Sequence, residues 1–251
     1  MGMRGTNVAK EASDIILMDD NFNTIVGAIS NGRCIYNNIK KAISYVLAIH
    51  IPIALISFVL PLIKIKNFLM PVHIVLLELL IDPTCSIIFQ RTKPDPDIMD
   101  KKPHLDSENI IDKATLLRCI IEGILIFITV FALYIYYYQK ENIILGSTMA
   151  FTLLITSIMM CANTMKSRKL TITNFINSFK DKVIVLINLV ILSILLILIY
   201  SPLNEYANMC MLNYKEWLII IALTFLVTIP LDIVKKKRWT YELRKFKKRI
   251  W

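Results

Sequence analysis

Two carboxylates inside an otherwise apolar segment are the residues of this sequence best suited to chemistry. Glu78 and Asp82 fall within the run 70–89 and are four residues apart, so a helix places both on one face, about one turn apart. Ionisable groups at the centre of a bilayer are costly and mark ion pathways. A cation or a shared proton relieves the repulsion between two such carboxylates, and hard oxygen ligands favour Ca²⁺ or Mn²⁺ over a soft metal. The other interpretation is a carboxylate pair hydrogen-bonded to neighbouring helices, with no ion.

Prolines beside these groups predict interruptions of the helices. Pro83 follows Asp82 and frees the carbonyl of Leu79, and Pro52 similarly frees the carbonyl of Ala48. Irregular backbone at membrane depth is tolerated where it lines an ion site, so we expect two broken helices that meet at the midplane. His50 lies two residues before Pro52 and is either a cation ligand or an ordinary hydrogen-bonding group.

Several weaker candidates accompany the three principal ones. Thr84 can add a hydroxyl ligand, and Ser157 and Asn163 can line an ion pathway, although packing is the favoured interpretation of the last two. Glu122 is expected to pair with Arg118, one helical turn away. The five cysteines form no CxxC pair and are interpreted as small buried hydrophobes. No nucleotide-binding or hydrolase signature of a soluble enzyme is present.

The elements that must position these residues are apolar helices. The 251 residues are 56% hydrophobic with a mean hydropathy of +0.58, and the apolar residues come in blocks of the length that crosses a bilayer, about 20 residues. We therefore predict an all-α integral membrane protein with six transmembrane helices, at 42–63, 70–89, 116–138, 144–165, 183–200 and 217–234.

Charge placement predicts how these spans are oriented. Of the 29 lysines and arginines, 25 fall in segments that lie on one side of the membrane under this topology. The positive-inside rule makes that side cytosolic and places both termini there, in a multi-pass protein of the cell membrane. The net charge of +10 is then a topology signal and does not indicate nucleic acid. Segment 235–251 has nine basic residues and is predicted to be a cytosolic tail on anionic lipid.

Residues 1–41 form the polar stretch that precedes the first span. The apolar run 15–18 is typical of a buried strand. Asp20 and Asn21 are favourable N-cap residues for a helix that begins near Phe22. Apolar residues then recur at helical spacing into the first span, which predicts one long helix that enters the bilayer.

Three stretches carry a resemblance to the P-type ATPases. The sequences GTNVAKEASD at 5–14, ILMDDNF at 16–22 and GRCIYNNIK at 32–40 resemble the end of the family's phosphorylation domain and the stalk helix that leads into the fifth transmembrane segment. The sequence PDPDIMDKKP at 94–103 is similar to the loop after the sixth segment of calcium-pump-like members. The sequence PLD at 230–232 is similar to the end of their tenth segment.

The resemblance implies that the six spans correspond to the family's segments five to ten, preceded by a short remnant of the phosphorylation domain. Cation ligands in calcium-pump-like members then fall on Glu78 and Asp82 of segment six and on His50 of segment five. Ile53, Ile81 and the region of Ser157 stand where further ligands are expected. One cation site is therefore the favoured interpretation.

The resemblance also implies what must be supplied by other sequence. Neither DKTGT, which carries the phosphorylated aspartate, nor GDGxND occurs here, and the nucleotide-binding domain is absent. We expect the membrane half of an ATP-driven cation translocase that uses Mg²⁺ and ATP only together with an N-terminal half, in the same chain or a separate one. The alternatives are a non-catalytic membrane subunit that assembles with a separate N-terminal half, and a remnant without a transport role.

Overall fold

The structure is a computed structural model that describes residues 1–92, 94, 97–100, 110–166 and 181–228, apart from the side chains of Asp82 and Thr164. Within this part of the chain the regular elements are all helices. They are α1 (Asn7–Glu11), α2 (Phe22–Leu62), α3 (Pro71–Gln90), α4 (Lys113–Gln139), α5 (Ile143–Lys166), α6 (Lys182–Tyr200), α7 (Leu203–Tyr206) and α8 (214–228). Most of the loop 94–103, the motif 230–232 and the tail 235–251 lie outside the described residues.

Five of these helices are long and apolar enough to cross a membrane, namely α2 to α6. The prediction of an all-α membrane protein is therefore confirmed. The sixth predicted span begins in α8, which is helical from 214 to 228, and its residues 229–234 lie outside the described part. The division of the chain into a cytosolic remnant, a membrane domain and a basic tail stays a prediction.

The predicted strand at 15–18 is wrong. These residues form an extended stretch and a turn, and the side chains of Ile15 and Met18 are each 77% exposed. A strand needs a partner for its backbone groups, and the contact here is a single hydrogen bond from the Gly2 amide to the Leu17 carbonyl. One backbone bond and an exposed apolar side cannot maintain a sheet.

The long helix predicted to enter the bilayer is present as α2, with 41 residues. Its N-cap is Asn21, whose side chain accepts a hydrogen bond from the Asn23 amide at 3.0 Å. The Thr24 hydroxyl and the Asn21 amide donate to Asp19, and these bonds hold the pKa of Asp19 below its usual value. The side chains of Asn21 and Asp19 therefore both accept hydrogen bonds at the start of α2.

Helix α5 occupies the centre of the bundle. The most apolar part of α5 is 72% buried, compared with 22% for that of α6, so α6 lies at the periphery of the bundle. Helices α2, α3 and α4 pack around α5, and the side chains of Tyr45, Tyr134 and Phe151 are fully buried among them. The Tyr134 hydroxyl donates to the Lys66 carbonyl at 2.6 Å and so connects α4 to the connection that follows α2.

A glycine sets the closest approach of α4 to α2. A Cβ placed on Gly123 would lie 2.6 Å from the Cβ of Ile51 and 2.8 Å from the carbonyl oxygen of Ala48. Distances this short are not tolerated between non-bonded atoms, so any larger side chain must push the two helices apart. Gly32, in the N-terminal half of α2, has no neighbouring atom within 4 Å of the same position.

We expect Gly123→Ala to lower the free energy of unfolding by roughly 1–3 kcal/mol because it overpacks the α2–α4 contact. The matched control, Gly32→Ala, should raise it by about 0.5–1 kcal/mol, since alanine loses less backbone entropy in an open helical position. Titration of both variants with SDS in mixed micelles measures the two changes. A Gly123→Ala protein as stable as the unmodified chain contradicts this account of the packing.

Candidate cation-binding site

His50 on α2 and Glu78 on α3 meet between the two helices. The Nε2 atom of His50 lies 3.3 Å from the Oε1 atom of Glu78. Each side chain is 45% exposed, so the pair borders an open face of the bundle and is not sealed in its core. The structure thus brings together two of the three principal candidates, which are 28 residues apart in the sequence.

The other ring nitrogen of His50 is held by its own helix. Nδ1 lies 2.8 Å from the Val46 carbonyl oxygen, and a carbonyl only accepts, so Nδ1 carries a hydrogen and donates. Nε2 is therefore the nitrogen that faces Glu78. At 3.3 Å, a proton on either Nε2 or the Glu78 carboxyl group can form a hydrogen bond between the two side chains. Without that proton, Nε2 and Oε1 direct lone pairs at the same space. Histidines that bind metals commonly donate their second nitrogen to a backbone carbonyl in this way.

The expectation of two broken helices is wrong. Helices α2 and α3 continue without interruption through Pro52, Pro61 and Pro83. Each proline removes one backbone donor, but packing of a transmembrane helix against its neighbours can hold the helical path. The Ala48 carbonyl that Pro52 frees is packed against Gly123 of α4, whereas His50 contacts α3. The site is therefore made by side chains of two continuous helices.

Asp82 follows Glu78 by one turn of α3, and its backbone is helical. Four residues correspond to a rise of about 6 Å and a rotation of about 40°. The side chain of Asp82 lies outside the described part, so its role as a ligand stays a prediction. The same holds for a site made by all three candidates together.

The three weaker candidates lie in buried positions. The hydroxyl of Thr84 donates to the Leu80 carbonyl at 2.6 Å, and Thr84 borders an otherwise apolar cavity between α3, α5 and α6. The side-chain amide of Asn163 donates to the Met159 carbonyl at 3.0 Å. The Ser157 hydroxyl is buried without a hydrogen-bond partner among the described residues.

The buried ion pair expected on α4 is present. Arg118 Nε lies 3.6 Å from Glu122 Oε2, and Glu122 is fully buried. All five cysteines fall in the described part of the chain and are free; Cys119 and Cys161 are buried, as predicted, whereas Cys34, Cys85 and Cys210 are only partly buried.

Contacts between α2 and the segment after α3 were not predicted. The guanidinium group of Arg33 donates to the carbonyls of Ile98 and Met99 at 2.9 and 3.2 Å. The side-chain amide of Asn38 donates to the Thr92 carbonyl at 3.0 Å. These bonds attach the N-terminal half of α2 to the segment that follows the helix of Glu78. Arg33 and Asn38 stand among many other polar residues of this segment, and the backbone acceptors that they contact leave no trace in a sequence.

His73 has a structural position that its sequence context did not indicate. It is 1% exposed, with Nδ1 2.9 Å from the Phe68 carbonyl and Nε2 2.9 Å from the Ala207 carbonyl. Its ring also packs on Phe151 of α5. His73 therefore connects the N-terminal end of α3 to the connections before it and after α6, and both of its nitrogens face carbonyl oxygens.

Comparison with known proteins gives one consistent result. Residues 66–236 match the family described as "Cation transporting ATPase, C-terminus". The chain is 31% identical over 92% of its length to a calcium-transporting ATPase of Bacillus subtilis, and 31% identical over 95% to calcium-transporting ATPase 1 of Lactococcus lactis. It is 42% identical over 55% of its length to a calcium-transporting ATPase of Plasmodium falciparum. It spans 26%, 27% and 11% of these relatives, respectively. The chain belongs to the family of cation-transporting ATPase C-terminal regions.

Proposed function

We propose that this chain is the membrane half of an ATP-driven cation translocase and supplies its intramembrane site for a divalent cation. The observation that carries the proposal is the contact of 3.3 Å between His50 and Glu78 across two spans. Glu78, Asp82 and His50 are the proposed ligands, and Thr84, Ser157 and Asn163 are proposed to line the ion pathway. Relatives named calcium-transporting ATPases support Ca²⁺ as the cargo, and Mn²⁺ is the second candidate.

Hydrolysis of ATP needs groups that these residues do not include. A phosphorylated aspartate, the nucleotide site and bound Mg²⁺ are proposed to belong to an N-terminal half, in the same chain or a separate one. The present chain then contributes cation binding and the mechanical connection to that half.

Helix α2 is the proposed connection. Its 41 residues span roughly 60 Å, and it extends from the extramembrane N-cap Asn21 to the outer end of the first span. Tilting its extramembrane end moves His50 relative to Glu78, because one continuous helix transmits the rotation. The bonds from Arg33 and Asn38 to the segment after α3 carry part of the same movement to the helix of Glu78.

The proposed location is the cell membrane, with the lipid bilayer as the surrounding partner and both termini in the cytosol. The helices α2 to α6 support a multi-pass arrangement, and the distribution of lysine and arginine supports this orientation.

Glu78→Gln or Asp82→Asn in the full-length pump should abolish cation-dependent phosphorylation, because an amide keeps the shape of the side chain but removes the charge that neutralises the cation. The measurement is phosphoenzyme formation from labelled ATP across a series of Ca²⁺ and Mn²⁺ concentrations. Glu205→Gln, in the exposed helix α7, is the control and should leave the cation dependence unchanged.

Unchanged cation dependence in both acidic-site variants removes these carboxylates from the site. Co-purification of this chain with a separate polypeptide that carries DKTGT supports the two-chain arrangement. A single continuous reading frame supports one long pump.

Removing the charge of Glu78 should have a small effect on folding. Glu78→Gln is expected to lower the free energy of unfolding by no more than about 1 kcal/mol, because an amide can still hydrogen-bond to His50 and leaves no charge among the apolar helices. Arg118→Ala should cost more, roughly 3 kcal/mol, because it removes the guanidinium group beside the fully buried Glu122. SDS titration in mixed micelles compares the two variants. A larger loss for Glu78→Gln than for Arg118→Ala indicates that Glu78 serves structure and not transport.

Orientation is tested by labelling exposed positions on opposite sides of the membrane. Tyr206 is 84% exposed in α7 and Ile15 is 77% exposed near the N-terminus. In intact cells, and with the five native cysteines replaced by serine, a membrane-impermeant maleimide should label a Tyr206→Cys protein and leave an Ile15→Cys protein unlabelled until the cells are permeabilised. The reverse pattern contradicts the proposed topology.

A further inference from the structure

We propose that the cargo is a divalent first-row transition ion that accepts an imidazole ligand, of the Mn²⁺, Fe²⁺ or Zn²⁺ type, in preference to Ca²⁺. This inference rests on the proposed function: it keeps the cation site of that proposal but replaces Ca²⁺, which the names of the relatives support, with an ion that suits an imidazole ligand. It depends on which atom of His50 faces Glu78, and that is given by the geometry of the site.

The His50 ring is fixed in an orientation that suits ligation through Nε2. Its Nδ1 donates to the Val46 carbonyl at 2.8 Å, so Nε2 is directed at the Glu78 carboxylate 3.3 Å away. Nitrogen and carboxylate ligands lie about 2.0–2.2 Å from a transition ion, so two adjacent ligands of one ion are roughly 3.0–3.5 Å apart. The pair can therefore hold one ion in the place of a shared proton, with little movement of either side chain.

The chemistry of this donor pair discriminates between cations. Ca²⁺ takes six to eight oxygen ligands, and an imidazole nitrogen directed into its site replaces one of them with a poor ligand. Zn²⁺, Fe²⁺ and related ions accept imidazole readily, and Mn²⁺ accepts a mixture of nitrogen and carboxylate oxygen. A nitrogen at the centre of the site therefore lowers the preference for Ca²⁺.

A purely structural role explains the pair less well. Ionisable side chains within transmembrane helices commonly mark ion pathways, and both side chains here are 45% exposed and not enclosed in the core. His73 shows how this protein uses a histidine for structure: it is 1% exposed and both of its nitrogens face carbonyl oxygens. The open face beside His50 and Glu78 leaves room for further ligands, which a buried structural pair does not need.

Pulsed EPR of Mn²⁺ bound to the intact pump in lipid nanodiscs tests the inference, since it detects ¹⁴N coupling from a directly bound imidazole. The unmodified protein should show this coupling, and His50→Asn, which offers an oxygen instead, should lose it. The ratio of Mn²⁺ to Ca²⁺ affinity, measured by competition, should fall at least about tenfold in His50→Asn, as for other changes to a metal ligand environment. His73→Gln is the matched control and should keep both the coupling and the ratio, even if its folding is weakened.

The outcomes separate the inference from the function on which it rests. Binding of Mn²⁺ without ¹⁴N coupling, or a preference for Ca²⁺ that His50→Asn leaves unchanged, overturns the inference but leaves cation transport in place. Absence of any saturable binding of Ca²⁺, Mn²⁺ or Zn²⁺, in a preparation that is folded by SDS titration, overturns both. If the coupling persists in His50→Asn and disappears in His73→Gln, the bound nitrogen belongs to His73, and this result also overturns the inference.

Discussion

The cost of placing ionisable groups among apolar helices is the constraint on which the rest of this structure depends. Glu78 lies within a transmembrane helix, where an isolated carboxylate is unfavourable by several kcal/mol unless a partner neutralises it. His50, on the neighbouring span, is the partner that the structure provides, at 3.3 Å. Helices α2 and α3 must therefore keep a fixed register relative to each other, and the packing of α4 and α5 behind them maintains it.

That packing uses two different devices. Where α4 meets α2, the absence of a side chain at Gly123 lets the helices approach until the Ala48 carbonyl and Ile51 contact α4 directly. At one end of the bundle, His73 and the Tyr134 hydroxyl bond to carbonyls of the connecting segments. A glycine thus sets the distance between two helices in the apolar region, and polar side chains hold the loops at the helix ends.

The sequence predicted the features that follow from composition and period. Long apolar blocks gave the helices, Asn21 gave the start of α2, and the spacing of Arg118 and Glu122 gave an ion pair on one helix. The predictions failed where tertiary context decides. Residues 15–18 look like a strand because a short apolar run does not show whether a partner strand exists. Pro52 and Pro83 look like breaks because the packing that supports a proline is invisible in a single sequence. The orientation of the His50 ring depends on one backbone carbonyl and could not be predicted either.

The mechanical properties of α2 follow from the same contacts. A helix of 41 residues bends under load unless it is braced, and this one is held at two levels. Arg33 and Asn38 bond to carbonyls beyond the end of α3, and Ala48 and Ile51, on either side of His50 in the sequence, pack against Gly123 of α4. The first brace joins α2 to the segment after α3, and the second joins α2 to α4. His50 contacts Glu78 next to the second brace, so the proposed cation site lies where α2 meets both α3 and α4.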